Sequence, residues 1–304
     1  MKKNVSILLA TYNGAKFLQY QLDSIAKQDY IGWRLIISDD GSKDNTKNIV
    51  KKYISTNPHL DIKLVDGPQK GYSHNFIGML CMSNTEYTCF CDQDDVWLPN
   101  KLSSSIEAIK SHRIAALYCS RTKLINKKGV LIGYSPLFQR TPNFKNALVQ
   151  SIAGGNTMMM NSPAKQLLQN AYNPEIHITS HDWWSYQIIS GAGGIVFYDA
   201  IPRVLYRQHQ ENLIGSNRFF WDRLLRLWLL FSGRYRGWTK SNLRALQSAN
   251  WCLTPCNQNA LLTFTKARNM NLIERMVVMQ RLGIHRQTKI GNTALFIALI
   301  FSLI

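Results

Sequence analysis

The chain has 304 residues, 45% of them hydrophobic and 18% charged, with a formal net charge of +18. That composition supplies a sizeable core and one or two domains, and it excludes a disordered or fibrous chain. The charge is uneven: residues 1–200 hold 21 basic against 15 acidic side chains, whereas 201–304 hold 15 against 3.

Val5 to Ala10 reads as a first buried strand, with Thr11-Tyr12-Asn13-Gly14 forming a polar turn beyond it. Phe17, Leu18, Leu22, Ile25 and Ala26 then recur at helical spacing. The unit repeats: Trp33 to Ser38 predicts a strand, Asp39-Asp40-Gly41-Ser42 a loop, and Ile49, Val50, Tyr53 and Ile54 a second helix. Ile62 to Val65 predicts a third strand, and the segment from Gly71 to Cys81 a helix opened by Ser73. Alternating strands and helices argue for an α/β fold with a mainly parallel sheet, whose ligands gather at the carboxyl ends of the strands.

The stretch Tyr87-Thr88-Cys89-Phe90-Cys91-Asp92-Gln93-Asp94-Asp95 is a short apolar strand that ends in three carboxylates within four residues. In an extended chain Asp92 and Asp94 face the same way, and a divalent cation relieves their repulsion. Mg²⁺ or Mn²⁺ takes oxygen ligands and keeps places for substrate phosphates. The structural alternative is a polar turn capping a helix over Pro99 to Ser111. Three strands thus bring polar clusters to one edge, which favours a nucleotide pocket over three unrelated turns.

Thr11-Tyr12-Asn13, Asp39-Asp40-Gly41-Ser42, Gly71 with Asn75, and Asp92-Gln93-Asp94-Asp95-Val96-Trp97 together resemble the family 2 glycosyltransferases of GT-A fold, most of all the rhamnosyltransferase-like members. The resemblance covers roughly residues 4–215. It implies inverting transfer of a single sugar from a dTDP- or UDP-linked donor. Thr11, Tyr12, Asn13, Asp39, Asp40, Lys70, Asn75, Asp92 and Gln93 would then line the donor nucleotide, with Asp39 on base and ribose, and Asp94 would hold the metal, Mn²⁺ or Mg²⁺.

Thr179-Ser180-His181-Asp182-Trp183-Trp184 opens a further helix. Asp182 is either an N-cap or, by resemblance, the catalytic base, with His181 where many relatives carry Glu. Trp183 and Trp184 would offer stacking faces to the acceptor sugar. In Tyr206-Arg207-Gln208-His209 the resemblance implies Arg207 facing the diphosphate and His209 as a metal or phosphate ligand. Gly154-Gly155-Asn156-Thr157 would shape the donor or acceptor pocket, and Met158 to Met160 reads as core.

Residues 216–304 form a second, basic region. Phe219 to Phe231, interleaved with Arg218, Arg223 and Arg226, predicts a helix suited to an anionic membrane surface or to packing on the catalytic domain. Ala294 to Ile304 is too short to span a bilayer and would dip into the interface, pack on the protein or pair with a partner. The expected setting is the inner face of the cell membrane, with a lipid-linked saccharide as acceptor. Six cysteines without framework spacing fit a reducing cytoplasm, and Val5 to Ala10 is too short for a secretory leader. Two competing classes are a metal-dependent sugar nucleotidyltransferase, whose glycine-rich, arginine-containing signature is missing near the first strand, and a basic nucleic-acid binder, for which no motif appears.

Overall fold

Val5–Thr11, seven consecutive buried residues, form β1 at the middle of a sheet. In the computed structural model, which describes residues 3–209 and 233–304, β1 lies between β2 (Trp33–Asp39) and β4 (Tyr87–Cys91), parallel to both, and β3 (Ile62–Asp66) pairs parallel with β2. β1, β2 and β4 are buried almost throughout and mainly apolar rather than alternating, as a helix-covered parallel sheet requires, whereas the edge strand β3 is only partly buried and carries Lys63. The connecting helices are α1 (Leu18–Ala26), α2 (Thr46–Thr56) and α3 (Tyr72–Leu80). Gly71, not Ser73, occupies the position before α3.

Beyond β4 the sheet becomes mixed. β5 (Val96–Trp97), β6 (Ala116–Ile125), β7 (Leu131–Tyr134), β8 (Met159–Asn161) and β9 (Ile195–Arg207) complete it, in the order β3-β2-β1-β4-β8-β6-β9-β5 with β7 on β6. The short β8 inserts antiparallel between β4 and β6, while β6 and β9 pair parallel. Met158, Met159 and Met160 are fully buried there, as core.

One face of the sheet packs on α1, α2 and α4 (Lys101–Ile109) through Leu18, Leu22, Ile25, Val50 and Leu102. The other packs on α3, α5 (Phe144–Ala147), α6 (Ser162–Ala171) and α7 (His181–Gly191). Four further helices, α8 (Arg234–Ser248), α9 (Pro255–Ala267), α10 (Leu272–Leu282) and α11 (Lys289–Ile300), follow. Leu246, Phe264, Met279, Leu295 and Leu299 from these helices join the same hydrophobic cluster as Leu8, Phe76 and Phe90.

Of the three fates open to the tail, the structure shows packing on the protein: Leu295, Ala298, Leu299 and Ile304 are buried, and buried Arg275 donates to Ser302 Oγ and the Ile300 carbonyl. Among the described residues no helix is long and apolar enough to cross a membrane. The aromatic, arginine-rich stretch expected over 219–231 and the boundary expected at 215 lie outside the described residues.

Candidate active site

The register of the central strands builds the site. Thr11 pairs with Asp39, and Leu9 with Cys91, so the loops after β2, β1 and β4 leave the sheet side by side, about 5 Å per strand. The chain turns after Cys91, so Asp92 to Asp95 form a loop rather than an extended strand.

Asp39 is 1% exposed. Its Oδ1 accepts the Gly41 and Ser42 amides at 3.1 and 2.8 Å, and Lys47 Nζ lies 3.7 Å away. Its buried Oδ2 has no hydrogen-bond partner among the described residues. A buried carboxylate oxygen without a donor is costly, which marks this atom as an acceptor for a ligand N–H or O–H. Asp40 acts differently. Its carboxylate accepts the Gln69 and Gly71 amides at 2.7 and 3.0 Å, fixing the loop on which Lys70 stands exposed.

The other loops are tied to one another. Asn13, at a left-handed φ of 50°, accepts the Lys43 amide through Oδ1 and donates its own N–H to Ser42 Oγ. Gln93 Oε1 accepts from Thr11 Oγ1 at 2.7 Å and the Tyr12 amide at 2.9 Å, and its Nε2 donates to the Tyr12 carbonyl. Gly14 lies beneath it: a Cβ there would stand 2.2 Å from Gln93 Oε1 and displace the Gln93 amide from these bonds. Tyr12 itself is 52% exposed at the rim. Asn75, buried, holds Ser38 through its hydroxyl and carbonyl, bracing α3 against β2. Gln93, Thr11 and Asn75 thus hold the loops at this edge of the sheet.

Asp94 and His209 lie together: His209 Nε2 is 2.7 Å from Asp94 Oδ2, and the imidazole rests on Phe17 with centroids 5.0 Å apart. Asp92, half-buried, is raised above the usual carboxylate range by desolvation first, then by Asp94 and Asp182. The three acids therefore share one electrostatic neighbourhood, reaching from the loop after β4 to α7. Asp95 is fully buried and stands apart in role, accepting from Asn156 Nδ2 at 2.5 Å and the Arg207 amide at 3.0 Å. It is not a cap of α4, whose N-cap is Asn100.

Asp182 is the second residue of α7, and Ser180 holds the N-cap position, so the alternative of Asp182 as N-cap is corrected. Its Oδ1 accepts from Ser180 Oγ and from the Trp183 amide, and its Oδ2 accepts from the Gly155 amide at 3.2 Å. Tyr72 lies close enough for Asp182, after desolvation, to help raise its phenol.

Two expectations are corrected by burial. Trp183 and Trp184 are 7% and 2% exposed; the Trp183 indole N–H donates to the Ala147 carbonyl and Trp184 sits in the core, so neither offers a stacking face to a sugar. Arg207, 3% exposed, does not reach toward a diphosphate: it donates to the carbonyls of Asp94, Asn126 and Lys127 and lies over Phe17 and Tyr20. It clamps the end of β9 to the carboxylate loop.

Sequence reasoning did not single out Ser180 or Tyr72. A serine two positions before an acid at a helix start is a readable signal for Ser180, whereas Tyr72 reaches the site only through packing of α3 on α7. A separate groove of about 490 Å³ between α1 and α2, lined by Asp23, Asn45, Asn48, Lys52 and Tyr53, contains none of the site acids.

Known proteins resemble this chain in sequence and in fold. The family model for glycosyl transferase family 2 matches residues 6–168. The chain is 29% identical over 245 residues to the dTDP-rhamnosyl transferase RfbG of Shigella flexneri, covering 75% of this chain and 81% of that protein. It is also 28% identical over 127 residues to the UDP-Glc:alpha-D-GlcNAc-diphosphoundecaprenol beta-1,3-glucosyltransferase WfgD of Escherichia coli, covering 42% of this chain and 49% of that one. Among solved structures, TarS residues 1–349 of S. aureus in complex with UDP-GlcNAc superposes with a TM-score of 0.56 at 17% identity, covering 93% of this chain and 90% of that chain, a likeness of fold. The family match, the mixed sheet and the acids gathered at its carboxyl edge lead to one conclusion: the chain belongs to glycosyl transferase family 2, with the GT-A fold.

Proposed function

We propose that this glycosyltransferase moves a single sugar, with inversion, from a nucleotide diphosphate donor to a hydroxyl of a growing, lipid-linked cell-surface polysaccharide. The observation that carries this reading is the convergence of Asp94, His209 and Asp92 beside Asp182. Similarity to a dTDP-rhamnosyl transferase supports dTDP-rhamnose as the donor to test first, ahead of UDP-linked hexoses. Similarity to an enzyme whose name specifies a diphosphoundecaprenol-linked acceptor supports the lipid-linked class.

Asp39 Oδ2, lacking a donor in its buried seat, accepts an N–H from the nucleobase. Asp94 and His209 would hold a divalent cation: a carboxylate oxygen and an imidazole nitrogen lie in hydrogen-bond contact at 2.7 Å, and since no group of three metal-ligating side chains forms among the described residues, the rest of the ion's ligands would be phosphate oxygens and water, as Mg²⁺ and Mn²⁺ allow. When bound there, the ion offsets charge on the departing nucleoside diphosphate. Asp182, oriented by Ser180, Trp183 and Gly155, takes the proton from the acceptor hydroxyl as its oxygen attacks the anomeric carbon. A single displacement inverts that centre. The basic C-terminal region, net +12 over residues 201–304, holds the enzyme against an anionic membrane surface at the cytoplasmic face.

The test is a screen of dTDP- and UDP-sugars with Mg²⁺ or Mn²⁺, scoring nucleoside diphosphate released by wild type and Asp94→Ala. Release by wild type, abolished in Asp94→Ala and dependent on the added cation, is the expected result. No turnover or binding of any nucleotide sugar by wild type sinks the reading.

A further inference from the structure

His181 is the residue whose place in this site the chemistry above leaves unused. It is 4% exposed, and neither ring nitrogen has a hydrogen-bond partner among the described residues. Its surroundings are those of an aromatic side chain: stacked on Phe76 with centroids 4.0 Å apart, edge-on to Phe90 at 4.9 Å, and edge-on to Tyr72 at 5.9 Å. The remaining wall is Gly155. A Cβ built there would stand 2.3 Å from His181 Nε2 and 2.9 Å from Cε1, closer than any real contact, so the imidazole occupies the space that glycine leaves.

That contact lies beside the base. Gly155 opens the 3-10 turn Gly155–Thr157, and its N–H binds Asp182 Oδ2. The next residue, Asn156, is buried and donates to Asp95, one position from the proposed metal ligand Asp94. One turn therefore touches both halves of the site, and its third anchor is the ring of His181.

We propose that His181 is a positioning residue: seated against Gly155 and the aromatic cluster, it holds the turn that orients Asp182 and spaces the base from the Asp94 loop. This rests on the glycosyl transfer reading above. The ring acts by shape and carries no charge, since burial pushes it down to about 4 against the pull of Asp182. An uncharged ring does not compete with the acceptor proton for the Asp182 carboxylate, as an imidazolium would. Asp182 and the Tyr72 phenol are the titratable groups that face it.

Two measurements test this. In the first, Gly155→Ala forces the turn off the ring. The expected result is a kcat fall of about tenfold to a hundredfold, with donor KM changed much less than kcat, because Gly155 bonds Asp182 directly whereas the turn reaches the Asp94 loop only through the Asn156–Asp95 bond. Adding His181→Ala to Gly155→Ala removes the atoms that the new methyl strikes, and the double variant then turns over faster than the product of the two single effects predicts. Simple multiplication of the single effects, or a loss expressed in donor KM, overturns the proposal. The second measurement needs no turnover: histidine ¹⁵N NMR of the full chain, with His181 assigned by difference against His181→Ala. A resonance that stays neutral from about pH 8 to pH 5 is expected, and one titrating near the ordinary value of about 6.5 overturns the proposal. If wild type turns over no nucleotide sugar, the glycosyl transfer reading fails while the NMR arm still judges the seat of His181.

Discussion

At the scale of single residues, Asp182 and His181 each have their own signature. For Asp182→Asn the expected outcome is donor binding within about twofold of wild type and a kcat lower by about 10²–10⁴, the range that general-base removal commands. Isothermal titration with the donor and single-turnover kinetics read the two separately; substantial residual transfer would take Asp182 out of that role. His181 brings a stability consequence through its burial. Its folded value, about 4, is below the ordinary value of 6.5, so between those limits the unfolded chain binds the proton and the native state does not. Stability from this group is therefore complete above pH 6.5 and declines as pH falls toward 4, by up to roughly 3 kcal/mol. Buried Asp92, whose carboxyl is raised, works in the opposite sense over this range, so the test is the difference: the change in urea midpoint from pH 7 to pH 5 should be less favourable in wild type than in His181→Ala.

At the scale of elements, the site is a set of loops fastened to each other more than to their own strands. Gln93 links the loops after β1 and β4, Asn13 and Ser42 link those after β1 and β2, and Asp40 links that after β2 to the residues leading into α3. Arg207 closes the set by binding three carbonyls with a buried guanidinium. A lysine cannot reproduce that fork. Arg207→Lys should cost about 1–3 kcal/mol in chemical denaturation, the penalty for buried acceptors left unmet. Cation-dependent donor binding should weaken with it, because the Asp94 carbonyl is one of the three. A direct diphosphate contact predicts the opposite division: affinity lost and stability kept.

At the scale of the whole molecule, the C-terminal helices belong to the same core as the sheet. Removing residues 216–304 would strip Leu246, Phe264, Met279, Leu295 and Leu299 from the cluster that contains Leu8 and Phe90, so truncation tests folding rather than membrane binding. Outward-facing residues of α10 and α11 offer a cleaner test: Ile273, Ile290 and Phe296 are 77%, 70% and 52% exposed. Their replacement by serine should leave the circular dichroism spectrum and thermal midpoint near wild type. The partition coefficient onto anionic vesicles should fall by about a hundredfold or more, since the three exposed apolar side chains contribute about 1–2 kcal/mol each on insertion. Vesicle binding unchanged by all three substitutions would remove this face from the proposed membrane contact.

The sequence by itself determined the repeating strand–loop–helix units of the first hundred residues, because continuously apolar strands and turn residues are local signals. It also determined which acids gather at the sheet's carboxyl edge, since every parallel strand delivers its loop there. Tertiary structure alone decided the direction of the later strands, because β8 is three residues long and its antiparallel seat between β4 and β6 depends on both neighbours. It also decided which polar groups face a ligand and which are spent on the protein. Asp39 and Asp40 are adjacent and chemically identical, yet Asp39, with two amides on Oδ1, keeps Oδ2 without a donor among the described residues, whereas Asp40 uses both oxygens on backbone amides. Trp183 and Arg207 have the chemistry of ligand-binding residues but are buried, their donors engaged by main-chain carbonyls. Burial is a property of what packs around a side chain, and that surrounding is assembled from segments distant in the chain.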